Sequence, residues 1–273
     1  MKKKLCIISI IIVIALGYLF IRSSKNNKLE IRILMYHHFE DNPKKTNDVT
    51  ILTEEFEKQM KYLSENGYTS ITSQDLLDYK NGKKEIPKKA IFITSDDGYL
   101  SNYEKMYPIL KKYNMKATIF LIGERIDNAD KPSEALPKLS WKNVKEMYES
   151  GLVDFQCHTY NSHQKIETKN GLKGNFSTNL IGESEEEFKK RIDKDIKMNI
   201  DGIKRNLGYT PIAFSYPFGD ISDTAAKILE ENNIKLTFRA EGGIEENPSK
   251  GYLLKRIGIT NQDSLQSFIK KIN

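Results

Sequence analysis

The chain has 273 residues, enough to bury a sizeable core, and one large α/β domain suits it better than two small ones. Its formal charge of +6 is uneven: Lys2, Lys3, Lys4, Arg22 and Lys25 precede Lys28 with no acid among them. The body is therefore close to neutral, which removes the main support for nucleic-acid binding, and two cysteines exclude a disulfide framework because Cys6 lies in an apolar run.

That run, Leu5–Ile21, follows three lysines and precedes Arg22-Ser-Ser-Lys25. The pattern directs the chain to the secretory pathway with the lysines held inside. Leu19-Phe20-Ile21 fills the place of a small-residue cleavage site, so an uncleaved signal anchor is preferred to a cleaved signal peptide, and the rest of the chain faces outward. Residues 1–28 thus form the anchor and a short linker, and residues 29–273 the folded domain.

Glu30–Tyr36 reads as a first strand ending at His37-His38. Thr53 is placed to cap a helix with Phe56, Met60 and Leu63 on one face, and a shorter helix spans Ser73–Tyr79. Ala90–Asp97 (AIFITSDD) is a buried strand closed by two carboxylates, after which Gly98 permits a sharp turn. Ser101 is placed to cap a helix reaching Tyr113, and Lys116–Ile122 is a further buried strand. Ser140 caps a helix with Trp141, Val144 and Met147 at helical spacing, and Leu152–Cys157 is a strand with His158 at its end. Gln164–Gly182 reads as a surface loop and Ser184–Leu207 as a long charged helix. A strand at Pro211–Ser215, a helix near Asp223–Glu231, strands at Lys235–Arg239 and Leu253–Ile259, and a helix at Ser264–Ile272 complete the chain. Strand and helix alternate throughout, which points to a (β/α) barrel or a doubly wound parallel sheet. Both gather their chemistry at the carboxyl ends of the strands, and His37, Asp96, Asp97, His158 and Tyr216 fall there.

Two aspartates at a strand end are costly without a partner, and a bound metal ion is an obvious one; a simple acidic turn is the alternative. His158-Thr-Tyr-Asn-Ser-His163 places two imidazoles where a loop leaves a strand. With one aspartate they make a two-histidine, one-carboxylate set, suited to zinc or a similar divalent ion with positions open for water.

The segment from Thr94 to Gly123, together with HTYNSH and SYPFG, resembles the polysaccharide deacetylases of carbohydrate esterase family 4 across roughly Ile31–Thr260. The resemblance implies a distorted (β/α)7 barrel that removes acetyl groups from glycans at a divalent metal, zinc first, with cobalt or nickel as alternatives. It assigns Asp96 as general base, Asp97, His158 and His163 as metal ligands, and a backbone N–H near Tyr216 as a donor to the oxyanion. No histidine follows His163, so the usual C-terminal acid is missing. The branch acting on poly-N-acetylglucosamine carries its acid on the first strand in a Tyr-His motif, which Tyr36-His37 resembles; His37 becomes the acid and His38 a bystander. Ser215 stands where many members have an arginine partner for the base, and Arg239 or Arg256 is left to supply that charge. Trp141 is placed for a helix face before a sugar contact.

The expected function is N-deacetylation of an extracellular polysaccharide, poly-β-1,6-N-acetyl-D-glucosamine above all, at the cell surface during biofilm formation. Peptidoglycan deacetylation, O-acetyl esterase action and a non-catalytic glycan-binding role are the alternatives. Expected partners are the polysaccharide, the membrane through the N-terminal run and the exopolysaccharide synthesis machinery, with no nucleic acid.

Overall fold

The computed structural model describes residues 29–131, 136–169 and 171–273. The expected anchor and linker, residues 1–28, lie outside the described residues. Among the described residues no helix is long and apolar enough to cross a membrane.

The core is a parallel sheet with strands β1 (Arg32–Tyr36), β2 (Ala90–Asp96), β3 (Ala117–Ile122), β4 (Val153–Thr159), β5 (Ala213–Ser215), β6 (Leu236–Phe238) and β7 (Ile257–Gly258). Their spatial order is β6-β5-β4-β3-β2-β1-β7, with the short strand Thr69–Ser70 paired to the outer end of β2. Every residue of β2 and β3 is buried, as expected of parallel strands covered on both faces. The two edges of the sheet meet through one segment: Leu254 bridges Phe238 of β6, and three residues later Ile257 pairs with Leu34 of β1. The Leu254 N–H donates to the Thr237 carbonyl at 2.8 Å, and the Arg239 N–H donates to the Leu254 carbonyl at 3.1 Å. Barrel-type curvature, rather than an open doubly wound sheet, follows from that shared segment.

Strand alternation sorts side chains into two apolar clusters. Ile33, Phe92, Phe120 and Phe238 meet in one, the interior. Leu34, Ile91, Ile93, Ile119, Leu121, Phe155 and Phe214 meet in the other, beneath the helices. Those helices are α1 (Thr53–Glu65), α3 (Tyr107–Tyr113), α4 (Trp141–Glu149), α5 (Glu185–Leu207), α6 (Asp223–Glu231) and α7 (Leu265–Ile272), whereas α2 (Ser73–Lys80) packs Leu76 into the interior cluster.

Several local expectations change. Thr53 is the first residue of α1, not its cap; the cap position is Leu52, which has no side-chain cap bond. Ser101 caps nothing either, because its hydroxyl accepts from the Phe39 N–H at 3.1 Å and lies 2.8 Å from His38 Nδ1. A π-turn at Asn102–Met106 leads into α3 instead. The loop after Gln164 contains an antiparallel hairpin, Lys165–Thr168 with Gly171–Gly174. The strand expected at Leu253–Ile259 contracts to Ile257–Gly258, since Leu254 pairs to the other side. Strand β4 runs through His158 to Thr159. Trp141 takes the helix-face role: its indole N–H donates to Asp127 at 2.7 Å and its ring lies against Gly202 of α5.

The turn that ends β2 uses two consecutive left-handed residues, Asp97 (φ 74°) and Gly98 (φ 66°). A methyl group on Gly98 would sit 2.9 Å from Leu121 Cδ2 and 3.0 Å from Ile126 Cδ1. Gly98→Ala is therefore expected to cost about 1–3 kcal/mol, read as a lower urea midpoint at unchanged slope.

Candidate active site

The carboxyl ends of β2 and β4, with the turn after β5, bring Asp96, Asp97, His158 and His163 together. Asp96 continues the inward-facing row Phe92, Thr94, Asp96 and meets Arg256 from the segment that closes the sheet. Arg256 donates from Nη1 to Asp96 Oδ1 at 2.8 Å and from Nη2 to Asp96 Oδ2 at 2.7 Å. The same guanidinium reaches Ser215 Oγ at 2.8 Å, Thr94 Oγ1 at 3.3 Å and the Arg239 carbonyl at 2.9 Å. All five of its N–H donors are used, although the residue is 1% exposed. Of the two arginines left open by the sequence, Arg256 is the partner of Asp96; the side chain of Arg239 donates outward to the Glu241 carbonyl. Burial alone would raise the Asp96 carboxyl, but the Arg256 charge and its hydrogen bonds outweigh it and hold the group at about 2.

Asp97 has turned away from that pair. Its Oδ1 lies 3.4 Å from His158 Nε2 and 3.2 Å from His163 Nε2, and this buried oxygen accepts no hydrogen bond. His158 Nδ1 is 2.6 Å from the Ser215 carbonyl, which can only accept, so Nδ1 carries the proton. That leaves Nε2 as the ring nitrogen facing the Asp97 carboxylate oxygen, where it can serve as a ligand to a cation lying between them. The ligand atoms of Asp97, His158 and His163 all fall within 4.8 Å of one another, which fits a divalent ion. Burial drives His163 down to about 3 despite the nearby Asp97 charge, so the ring is neutral and available as a ligand at neutral pH.

His37 sits beside both carboxylates. Burial lowers its pKa, while Asp96 and Asp97 act to raise it. Its backbone carbonyl accepts from Ser95 Oγ at 3.1 Å and Asn102 Nδ2 at 2.9 Å, which fixes the chain at the end of β1. His38 packs away from the carboxylates, against Ser101 and the Tyr99 ring. The Tyr216 ring packs edge-on against Phe214 in the core, and its own N–H donates to the Phe238 carbonyl at 3.0 Å. That amide is thus taken by the sheet. The neighbouring Phe218, with φ 59°, lays its ring 4.7 Å from His163.

Sequence reading left out two members of this arrangement. The Ser215 hydroxyl donates to Asp96 Oδ2 at 3.1 Å, so one residue holds Asp96 with its side chain and His158 with its carbonyl. Asp195 of α5 accepts from the loop carrying His163. Its only sequence signal is a carboxylate within the apolar stripe Phe188, Ile192, Ile196, Ile200.

Replacing Arg256 by Met would leave the Asp96 charge buried without its partner, at an expected cost of about 3–5 kcal/mol. Because the folded-state pKa of Asp96 is depressed, the pair's contribution is present above about pH 4 and fades as pH falls toward 2. Denaturant titrations of wild type and Arg256→Met should therefore differ most at pH 6–7 and converge only as pH falls to about 2.

The sequence pattern of the family described as polysaccharide deacetylase matches residues 83–237. A poly-beta-1,6-N-acetyl-D-glucosamine N-deacetylase of Staphylococcus epidermidis is 29% identical over 228 residues, covering 84% of this chain and 74% of that protein. An Escherichia coli protein of the same name is 28% identical over 255 residues, and the chain spans only 38% of its length. Among solved structures, IcaB from Ammonifex degensii superposes with a TM-score of 0.75 at 26% identity, covering 89% of this chain and 97% of that one. The Streptococcus pyogenes deacetylase PplD, solved in complex with acetate, gives 0.73 at 26% identity, covering 90% and 100%. With its sheet, its Asp-Asp turn and its two histidines in the order that family requires, the chain belongs to the polysaccharide deacetylases.

Proposed function

We propose that the chain is a metal-dependent hydrolase of carbon–nitrogen bonds that removes acetyl groups from N-acetylglucosamine units of an extracellular polysaccharide, with poly-β-1,6-N-acetyl-D-glucosamine as the preferred polymer. The observation that carries this is the division of one acidic turn into two differently held carboxylates. Asp97 faces two imidazole nitrogens, whereas Asp96 is locked to Arg256 and kept ionised. The names of the Staphylococcus and Escherichia relatives favour that polymer over peptidoglycan.

Asp97, His158 and His163 would hold the divalent ion, zinc by preference with cobalt or nickel as alternatives. A bound ion would polarise the acetyl carbonyl and acidify a water molecule. Asp96, held off the ligand set by Arg256 and Ser215, accepts the proton of the attacking water. His37, beside both carboxylates, delivers a proton to the departing amine. In the turn after β5, Tyr216, Gly219 and Asp220 spend their amides on backbone carbonyls and Pro217 has none, which leaves the Phe218 amide as the donor to the developing oxyanion.

We further assign the barrel to the (β/α)7 type and the N-terminal run to a signal anchor that holds residues 29–273 at the outer face of the cell membrane. The folded chain starts before β1, at the amino ends of the strands, and the carboxylates lie at their carboxyl ends. A tether entering there leaves the site facing away from the bilayer, toward a polymer accumulating outside, where free amines would make the polymer adhesive and support biofilm formation. The synthesis machinery is then the source of substrate.

Acetate release from defined poly-β-1,6-N-acetylglucosamine oligomers should be abolished by a chelator and restored by zinc or cobalt. Release from peptidoglycan alone would move the assignment to that polymer, and no release from any acetylated glycan would leave a binding protein. Asp96→Asn should keep the metal and lose at least about 100-fold in kcat, whereas His163→Ala loses both. His37→Ala should cripple hydrolysis of the amide yet largely spare an activated aryl acetate, whose leaving group needs no proton; equal losses on both substrates would remove His37 from the acid role.

A further inference from the structure

His158 belongs to a strand and is fixed through its own ring, but His163 stands four residues beyond the end of β4, in a loop. Something must hold that loop if His163 is to meet Asp97. Tyr160 and Asn161 direct their backbone N–H groups, and Ser162 its hydroxyl, at a single carboxylate. Tyr160 N donates to Asp195 Oδ1 at 2.8 Å; Asn161 N and Ser162 Oγ both donate to Asp195 Oδ2 at 2.8 Å. One donor from each of the three residues preceding His163 thus converges on Asp195.

Asp195 lies within the buried stripe of α5 and is itself 7% exposed. A carboxylate there is costly to bury: burial raises its pKa, and the three loop donors, with the Arg191 charge nearby, act against that rise. One helical turn on, Asn199 donates to the Thr159 carbonyl and, at 3.0 Å, to the Leu121 carbonyl. That is where the register between β3 and β4 shifts. The two polar residues at i and i+4 therefore grip the end of β4 and the start of the loop from one helix face.

We propose that Asp195 is the positioning residue for His163: it sets the loop so that His163 Nε2 reaches the ligand position beside Asp97 Oδ1. This rests on the metal-site reading above and adds to it a second carboxylate that never touches the ion. The shape of the side chain matters more than its size. Asparagine keeps the volume but presents an NH2 group to at least one of the loop donors, so part of the grip is replaced by repulsion.

The test is metal affinity, read with cobalt against a chromophoric chelator and by the visible spectrum of the bound ion, independently of turnover. Wild type should bind one equivalent; if it binds none, the metal reading itself falls. Asp195→Asn should bind about 10- to 100-fold more weakly and show an altered cobalt spectrum. Ser162→Ala, which deletes one of the three donors and leaves the carboxylate in place, should weaken binding by a smaller factor and serves if Asp195→Asn does not fold. Asp195→Glu, which restores the acceptors on a longer stem, should recover part of the loss. Asp154→Asn is the control, removing a half-buried carboxyl at the far end of the same strand, where Thr118 and Gln156 donate to it. Its cobalt affinity should match wild type whatever happens to its melting temperature. Unchanged affinity in Asp195→Asn and Ser162→Ala, or an equal loss in Asp154→Asn, would overturn the proposal.

Discussion

The pair formed by Arg256 and Asp96 inside the sheet is the interaction on which the rest of the molecule depends. A guanidinium is costly to place in such an interior, and it is tolerated because each N–H finds an acceptor and the Phe120 ring lies 5.7 Å from it. Those acceptors come from β2, from the end of β5 and from the chain just past β6, while the arginine itself comes from the segment leading to β7. One side chain therefore joins the two edges of the sheet and fixes the ionisation of the proposed base. The backbone pairing of Leu254 and Ile257 closes the sheet, and the Arg256 side chain adds to it a charged contact that also sets the ionisation of Asp96.

Ser215 carries that constraint across to the ligand half of the site. Its hydroxyl belongs to the Arg256–Asp96 network, and its carbonyl sets the tautomer and direction of His158. The base and the first imidazole are consequently positioned by the same residue on the same strand. His163 has no such connection, and its place depends on helix α5. The site thus combines strand-mounted groups, held by the sheet, with one loop-mounted group held by a buried carboxylate. That difference predicts where geometry loosens first when the helix packing is perturbed.

Much of this was legible in the sequence because parallel strands announce themselves as short apolar runs and place chemistry at their ends. AIFITSDD, HTYNSH and the helix after Ser184 are read almost residue for residue. The expectations that fail share a cause: they depend on which groups compete for a side chain. Ser101 has the residue type and place of a helix cap, yet the Phe39 amide and His38 take its hydroxyl. The LLKRIGIT segment reads as one strand, but its residues pair to two different neighbours, so only Ile257 and Gly258 remain in regular ladder. Asp195 was hidden by composition, since α5 is rich in charges and periodicity alone does not single out the one that points inward.

The resemblance implies an arginine at the position of Ser215, and the fold shows the charge arriving from Arg256 instead. In a sheet that curls on itself, inward-facing side chains from different strands converge on a common axis, so a charge needed at one height can be delivered from several strands. The length of an arginine side chain covers the remaining distance, and a planar fork can engage a carboxylate from more than one approach. Moving the guanidinium to position 256 leaves a space at position 215 that a serine fills without stranding any polar group, because its hydroxyl donates to Asp96 and accepts from Arg256. What the chemistry constrains is therefore the location of a positive charge inside the sheet, and the strand that supplies it is free to change.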